Sequence, residues 1–158
     1  MNNDVLQRIR QLLTEHGCVY RELEHAPTFT SEESAKVRGE ELGVGAKALL
    51  LRTDDSFRLF VLPADCKLDS GAVKRHLKVK SIRFATPEEL AELTGLVPGS
   101  VPPFGEPVLP FELFADQDIG VRYDQVAFNA GALTVSIIMG AADWEALARP
   151  IRFAFAKS

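Results

Sequence analysis

Lys47 lies inside an otherwise apolar run of strand length, and a lysine in that setting can take part in ligand binding or catalysis. Residues 46–52 read AKALLLR and have the length of a β-strand bounded by glycines. In such a strand Lys47 shares one face with Leu49 and Leu51. A lysine on this face can offer a fixed cation to an anionic or electron-rich ligand at a pocket wall. The alternative is a lysine near a strand start whose ammonium reaches solvent.

Two further segments have compositions that suit ligand binding. Residues 95–110 are rich in proline and glycine, and the stretch Gly99-Ser100-Val101-Pro102-Pro103-Phe104-Gly105 has glycines at its ends and prolines in its middle. Such a loop can display backbone groups in fixed directions, or it can be a plain surface connection. The segment Phe128-Asn129-Ala130-Gly131 lies between two predicted strands and is equally typical of an ordinary turn or bulge.

The remaining reactive side chains give little sign of catalysis or metal binding. His25 precedes Ala26-Pro27 at a predicted strand end, where a partly exposed turn histidine is more typical than a catalytic base. The three histidines lie far apart without cysteine or carboxylate at metal-ligand spacing, so we expect no metal and no other cofactor. Cys18 resembles a small buried residue, and only Lys67 beside Cys66 would favour a thiolate there.

Length and composition predict a single domain over residues 1–158. The chain has 158 residues, 46% of them hydrophobic, which is enough for one core without a stabilising metal or disulfide. Its first residues are too polar for a secretory signal, and no apolar stretch approaches the roughly 20 residues of a membrane span. The two cysteines form no disulfide framework. We therefore expect a cytoplasmic protein that does not enter membranes.

The charge distribution is uneven. A net charge of −4 and a pI of about 5.4 argue against a protein that coats nucleic acid by charge alone. A basic run is nevertheless formed by Lys74, Arg75, Lys78, Lys80 and Arg83. It is typical of a solvated helix face and strand edge, but it can also grip a nucleic acid locally.

The pattern of apolar residues and caps predicts a mixed α/β fold with a curled or barrel-like sheet. Residues 46–52 and 57–62 form a predicted hairpin, and capping boxes begin helices after Thr30 and Thr86. Other predicted helices cover 4–15, capped by Asn2 or Asn3, a segment that begins at Asp69 or Ser70, and 141–148. Other predicted strands cover 18–24, 79–85, 119–123, 126–129, 132–139 and 151–156.

Taken together, the three short motifs resemble the YbaK/ProX family. GAKALLLR with Lys47, the loop Gly99–Pro103 with the Phe104-Gly105 that follows, and FNAG before a strand have the order and spacing of that family. EHAPTFTSEESA is similar to the family's region after its first strand, and the resemblance covers roughly residues 4–156. The family comprises free-standing aminoacyl-tRNA deacylases related to the editing domain of bacterial prolyl-tRNA synthetase.

The resemblance implies a barrel-like mixed sheet with flanking helices and hydrolysis, in trans, of the ester that joins a wrong amino acid to a tRNA. It assigns catalysis to Lys47, Gly99 and Pro103. It implies a substrate site made by His25, Thr30, Ser100, Val101, Pro102, Phe104, Gly105, Asn129, Ala130 and Gly131. It also gives the basic run a role, because the acceptor end of a mischarged tRNA is held through phosphates.

The resemblance leaves the substrate open among alanine, cysteine, serine and threonine. The chain has GVGAKALLL instead of the GAHTKNLFL that marks the alanyl-tRNA branch, and Val101-Pro102 differs from the pair of the cysteinyl branch. We expect a small side chain, with water or the ribose hydroxyl as the attacking group. A synthetase is a candidate partner, and the oligomeric state stays open. The alternatives are a non-catalytic tRNA- or nucleic-acid-binding module of the same fold and a small-molecule hydrolase.

Overall fold

The computed structural model describes residues 4–158, so the predicted caps Asn2 and Asn3 lie outside the described residues. Its helices are α1 (Asp4–Glu15), α2 (Ser31–Arg38), α3 (Ser70–Leu77), α4 (Pro87–Thr94) and α5 (Ala141–Ala148), with one 3-10 turn at Leu42–Val44. Its strands are β1 (Tyr20–Glu24), β2 (Ala46–Thr53), β3 (Ser56–Pro63), β4 (Lys67–Leu68), β5 (Ile82–Phe84), β6 (Leu113–Asp116), β7 (Gln125–Asn129), β8 (Val135–Gly140), β9 (Ile151–Phe153) and β10 (Ala156–Lys157).

The strands divide between three sheets. The largest has the order β5-β2-β3-β6-β9, in which β2 and β3 form the predicted antiparallel hairpin and β6 runs parallel to both β3 and β9. An antiparallel sheet follows the order β1-β8-β7, and β4 pairs with β10. The mixed α/β architecture is confirmed. The predicted curled or barrel-like sheet is not, because the strands of residues 4–158 form separate sheets, and the two larger ones are linked by backbone pairing only at an isolated bridge between Gly45 and Ala127.

Local sequence signals account for the helices. The apolar stripe of α1 is buried from Val5 to Leu13, as its spacing predicts. Both predicted capping boxes are present, at Thr30 and Thr86. Within residues 4–158, no helix combines the length and apolar character needed to cross a membrane.

Strand β2 separates two hydrophobic clusters, which confirms the predicted alternation of its side chains. Ala46 and Leu50 belong to the larger cluster, which also contains the buried face of α1. Leu51 on the opposite face packs with Phe60 and Val73 of the second cluster. Lys47 and Leu49 lie on that second face, so the lysine is carried by a strand that is packed on both sides.

The region around Asp116 differs from the predicted one. Residues 119–123 form turns instead of a strand, and the unpredicted β6 precedes them. The buried Asp116 carboxylate accepts hydrogen bonds from the backbone N–H of Asp118 at 2.9 Å and of Phe155 and Ala156 at 2.8 Å each. These bonds fix the turn after β6 and divide the predicted strand 151–156 into β9 and β10.

Candidate functional site

A pocket of about 230 Å³ opens where α2, the start of β2, the loop after α4 and the end of β7 meet. Its rim is formed by exposed residues that include Phe29, Thr30, Pro98 and Gly99. The remaining lining residues are Thr28, Ser31, Ser34, Arg38, Gly45, Ala46, Lys47, Ala48, Leu49, Ala64, Val101, Ala127, Phe128, Asn129 and Leu133. The structure thus brings five sequence-predicted site residues to one pocket, namely Lys47, Gly99, Val101, Thr30 and Asn129.

Lys47 lines this pocket, but its ammonium is not free. The side chain is half-buried, and Nζ donates a hydrogen bond to the backbone carbonyl of Cys66. Burial lowers the pKa of Lys47 below its ordinary value. The lysine is therefore a partly desolvated cation held in one direction, unlike the solvated strand lysine of the alternative interpretation.

Asn129 and two backbone contacts hold the loop that begins at Gly99. Asn129 Nδ2 donates to the Gly99 carbonyl at 2.8 Å, and the Gly131 N–H donates to the Ser100 carbonyl at 3.0 Å. Gly99 has φ 88°, a conformation that favours glycine. Behind the loop, Trp144 Nε1 donates to the Pro103 carbonyl at 2.9 Å. The FNAG segment and α5 thus position the loop from two sides.

Several predicted substrate-binding residues support the loop from behind instead of lining the pocket. The Ser100 hydroxyl donates to the Val97 carbonyl at 2.8 Å, and Phe104 packs edge-on against Phe128 with ring centroids 5.5 Å apart. Residues outside the pocket lining are Ser100, Pro102, Pro103, Phe104, Gly105, Ala130 and Gly131. The structure therefore does not bring these residues into the pocket lining, and their contact with substrate and the catalytic role of Pro103 stay predictions. Phe104 and Ala130 are buried in the core, and Gly105 and Gly131 pack closely against other segments of the same chain.

His25 also lies outside the pocket lining. Its Nδ1 lies 2.8 Å from the Ala26 carbonyl, which can only accept, so Nδ1 carries the proton in the neutral ring. Nε2 then accepts from the Ser136 hydroxyl at 2.8 Å. Since Ser136 in turn contacts Arg38 and Asn129, His25 is linked through this network to two residues of the pocket lining, and its contact with substrate stays a prediction.

Arg38 is the main site residue that sequence reasoning missed. It is only 8% exposed, although it ends a polar helix and precedes Gly39, a position typical of a solvated cation. Its Nε donates to Ser136 Oγ at 2.9 Å and its Nη2 to Asn129 Oδ1 at 3.0 Å. Among residues 4–158 no carboxylate forms an ion pair with it. Burial lowers the pKa of Arg38 to about 10, so the guanidinium is still charged at neutral pH.

Two hydroxyl side chains, Thr28 and Ser34, were also missed. Both are buried in the pocket lining, and their hydroxyl oxygens are 2.8 Å apart. A threonine before a helix and a serine within it carry no sequence signal that separates pocket residues from local caps. The nearby Thr30 hydroxyl is occupied as the cap of α2, because it accepts from the Glu33 N–H at 3.1 Å.

The basic run lies on the surface outside the pocket. Lys74, Arg75, Lys78, Lys80 and Arg83 are all exposed, and none lines the pocket. Arg83 forms a two-fold hydrogen-bonded ion pair with Glu89 at 2.8 and 3.0 Å. The helix α3 packs its apolar face on the same cluster as Leu49 of the pocket wall. The run therefore belongs to an element that adjoins the pocket.

The lining residues limit the chemistry that the pocket can perform. Burial raises the pKa of the Cys66 thiol, which disfavours a thiolate beside Lys47. No lining serine or threonine in the described part of the chain hydrogen-bonds to a histidine or carboxylate side chain as an activated nucleophile would. The polar groups of the lining are two fixed cations, the Asn129 amide, loop backbone, and the hydroxyls of Thr28, Thr30, Ser31 and Ser34. Such a set can orient a substrate and stabilise a developing charge.

Residues 25–147 match the family described as aminoacyl-tRNA editing domain. A curated relative is the multifunctional Ser/Thr-tRNA deacylase ProXp-y of Escherichia coli K12, which is 36% identical over 149 residues and covers 91% of this chain and 88% of that protein. Proline–tRNA ligase of Bacillus licheniformis is 37% identical over 93 residues, which are 58% of this chain and 16% of the ligase. The fold is similar to a crystal structure described as a candidate trans-editing enzyme for prolyl tRNA synthetase, with a TM-score of 0.82, 26% identity and 98% coverage of both chains.

Proposed function

We propose that this chain, which belongs to the aminoacyl-tRNA editing domain family and is an aminoacyl-tRNA deacylase, acts in trans on tRNAs mischarged with serine or threonine. The observation that carries the substrate choice is the pocket lining, which includes the buried polar side chains of Arg38, Thr28 and Ser34. A volume of about 230 Å³ is below the roughly 300–1,000 Å³ of sites for drug-sized ligands. It has room for the short side chain of serine or threonine, and a phenyl group would leave the polar lining without hydrogen-bond partners.

The rim of the pocket suits the terminal nucleoside of the tRNA. Phe29 is 76% exposed beside the pocket opening, and its backbone N–H donates to Glu33 Oε1 at 2.8 Å. The aromatic ring is therefore exposed to solvent, while this hydrogen bond fixes the backbone that carries it. Bases of single-stranded RNA ends commonly stack on such aromatic faces. In this proposal the adenine lies on Phe29 while the aminoacyl group enters the pocket.

Catalysis then rests on positioning and charge instead of a covalent intermediate. The aminoacyl ester is already activated, and the attacking group is water or the neighbouring ribose hydroxyl. Lys47 is the residue we assign to the ester, because its ammonium is partly desolvated and held at the pocket wall. The loop at Gly99 is held by Asn129 and can present backbone groups to the carbonyl as its negative charge develops.

The exposed cations of α3 and its C-terminal end are the proposed contacts of the acceptor stem. Because Glu89 compensates Arg83, we assign this role to Lys74, Arg75, Lys78 and Lys80. Replacing all four by glutamine should weaken tRNA binding and reduce its salt dependence, since fewer counterions are released. A single Lys157→Gln change on β10 is a control for the loss of an exposed charge elsewhere.

The test is a panel of one tRNA body charged in turn with serine, threonine, alanine and phenylalanine. Release of serine and threonine well above the rate without enzyme, and much slower release of phenylalanine, is the expected result. A protein that binds the tRNA and leaves every ester intact would instead be a non-catalytic binding module. Equal cleavage of aminoacyl-adenosine and full tRNA, with little salt dependence, would identify a small-molecule hydrolase.

A further inference from the structure

The pocket lining contains buried polar side chains that can hydrogen-bond to a hydroxyl group. We propose that Arg38, Thr28 and Ser34 form a subsite that recognises a hydroxyl on the side chain of the aminoacyl group, an inference that rests on the proposed function. The three residues line the pocket and are 8%, 4% and 6% exposed, respectively. They therefore offer polar groups to a ligand from a part of the pocket wall that is largely shielded from bulk solvent.

Arg38 presents an unused donor at this place. Nε and Nη2 are occupied by Ser136 and Asn129, whereas Nη1 has no hydrogen-bond partner among residues 4–158. No unpaired nitrogen or oxygen of the described side chains is buried out of reach of solvent. Nη1 therefore retains access, and since Arg38 lines the pocket, that access is from the cavity. Because two of its nitrogens are bonded, the guanidinium is held in one orientation.

Thr28 and Ser34 supply the complementary groups. A hydrogen bond between two hydroxyls uses one proton, so the pair at 2.8 Å keeps a second proton and several lone pairs. A ligand hydroxyl needs a donor for its oxygen and an acceptor for its proton. Arg38 Nη1 can supply the first and the hydroxyl pair the second.

A side-chain hydroxyl fits this place better than a phosphodiester or a methyl group. A phosphodiester carries a nucleotide on each side, and it cannot reach a guanidinium that is only 8% exposed in the wall of a pocket of about 230 Å³. A methyl group can enter, but it would displace water from Arg38 and the hydroxyl pair without replacing its hydrogen bonds. Sites built to bond a hydroxyl reject the analogue that lacks it far more strongly than sites that read one methylene.

The subsite is tested by two pairs of substrates that differ only in a hydroxyl. One tRNA body is charged with serine or alanine, and with threonine or 2-aminobutyrate, and kcat/KM is measured for each. The wild-type protein should favour the hydroxylated member of each pair by about 100-fold or more. Arg38→Gln should reduce that ratio by about tenfold or more, because a charged hydrogen bond is lost. Lys36→Gln, an exposed change on the same helix, should leave the ratio unchanged.

A second variant and a binding measurement keep the test decisive if Arg38→Gln does not fold. Ser34→Ala removes one hydroxyl and should also reduce the ratio, by several-fold. Calorimetry with amide-linked seryl- and alanyl-adenosine, which cannot be hydrolysed, should show tighter binding of the seryl compound by wild type.

The outcomes separate this inference from the proposed function. If Arg38→Gln lowered kcat/KM by the same factor for all four substrates, the inference would be overturned. Arg38 would then act on a part of the tRNA that all four share, or would only position Asn129. A wild-type ratio near one would overturn it as well. Selective binding of seryl-adenosine without any hydrolysis would retain the subsite and reject the deacylase activity of the proposed function.

Discussion

Replacing Lys47 by methionine should separate its chemical role from its structural one. Methionine keeps the length of the side chain but removes both the charge and the hydrogen bond to the Cys66 carbonyl. A hydrogen bond from a charged donor contributes about 1.5–3 kcal/mol when buried. Lys47 is half-buried and must lose part of its hydration, as the lowered pKa indicates, so we expect a net loss of only about 1 kcal/mol in unfolding free energy.

The effect on activity should be larger. Removing one preorganised donor from an enzyme site typically costs about 100- to 1,000-fold in rate. We therefore expect Lys47→Met to deacylate at least about 100-fold more slowly than wild type in single-turnover assays. Lys47→Arg should not restore the rate, because a planar guanidinium does not replace a compact ammonium. Urea unfolding gives the stability change, and Lys157→Met is the matched control for an exposed lysine outside the pocket.

The result that refutes this reasoning is simple to recognise. A folded Lys47→Met protein that turns over close to the wild-type rate would show that the ammonium has only a structural role. A loss of activity that parallels a large loss of stability would point to the same conclusion, because the pocket wall itself would then have changed.

Three stability predictions follow from other contacts. Asp116→Asn should cost about 2 kcal/mol in urea unfolding, because the amide keeps only one acceptor oxygen and its NH2 group must face either the Asp118 N–H or those of Phe155 and Ala156. Trp144→Phe should cost about 2 kcal/mol and slow deacylation, because the Pro103 carbonyl of the loop that begins at Gly99 loses its buried donor. Arg10 lowers the pKa of Glu22 below its ordinary 4.5, so this pair stabilises the protein above pH 4.5 and the benefit is lost as the pH falls through the folded-state pKa. Glu22→Gln should therefore destabilise by about 0.5 kcal/mol at pH 7, and that difference should vanish in acid, as pH-dependent unfolding would show.

Local signals predict much of this fold because their causes lie within a few residues. The capping boxes at Thr30 and Thr86 and the alternation along β2 depend only on neighbours in the sequence, and the structure has all three. The strand β6 and the turns after it depend instead on Asp116, whose carboxylate binds backbone nearly forty residues away in the chain. No local pattern carries that information, so residues 119–123 were wrongly predicted as a strand.

The residues of the candidate site divide in the same way, into those that local sequence indicates and those that depend on contacts with distant residues. Lys47 could be singled out because a lysine is unusual on an apolar strand face, and Asn129 because its segment resembles a family motif. Arg38 could not, because its burial is created by Ser136 and Asn129, which are about a hundred residues away in sequence. The family resemblance assigns the loop residues Pro102 to Gly105 to the substrate site, and the contacts that seat this loop against Trp144 and Phe128 could not be read from its sequence because they join distant segments.

The most direct test of this account is single-turnover deacylation of one tRNA body charged with serine or with alanine by the wild-type protein. The account predicts release of serine well above the uncatalysed rate, and about 100-fold slower release of alanine. Release of neither amino acid above the rate in buffer, by a folded protein that binds the tRNA, would contradict it.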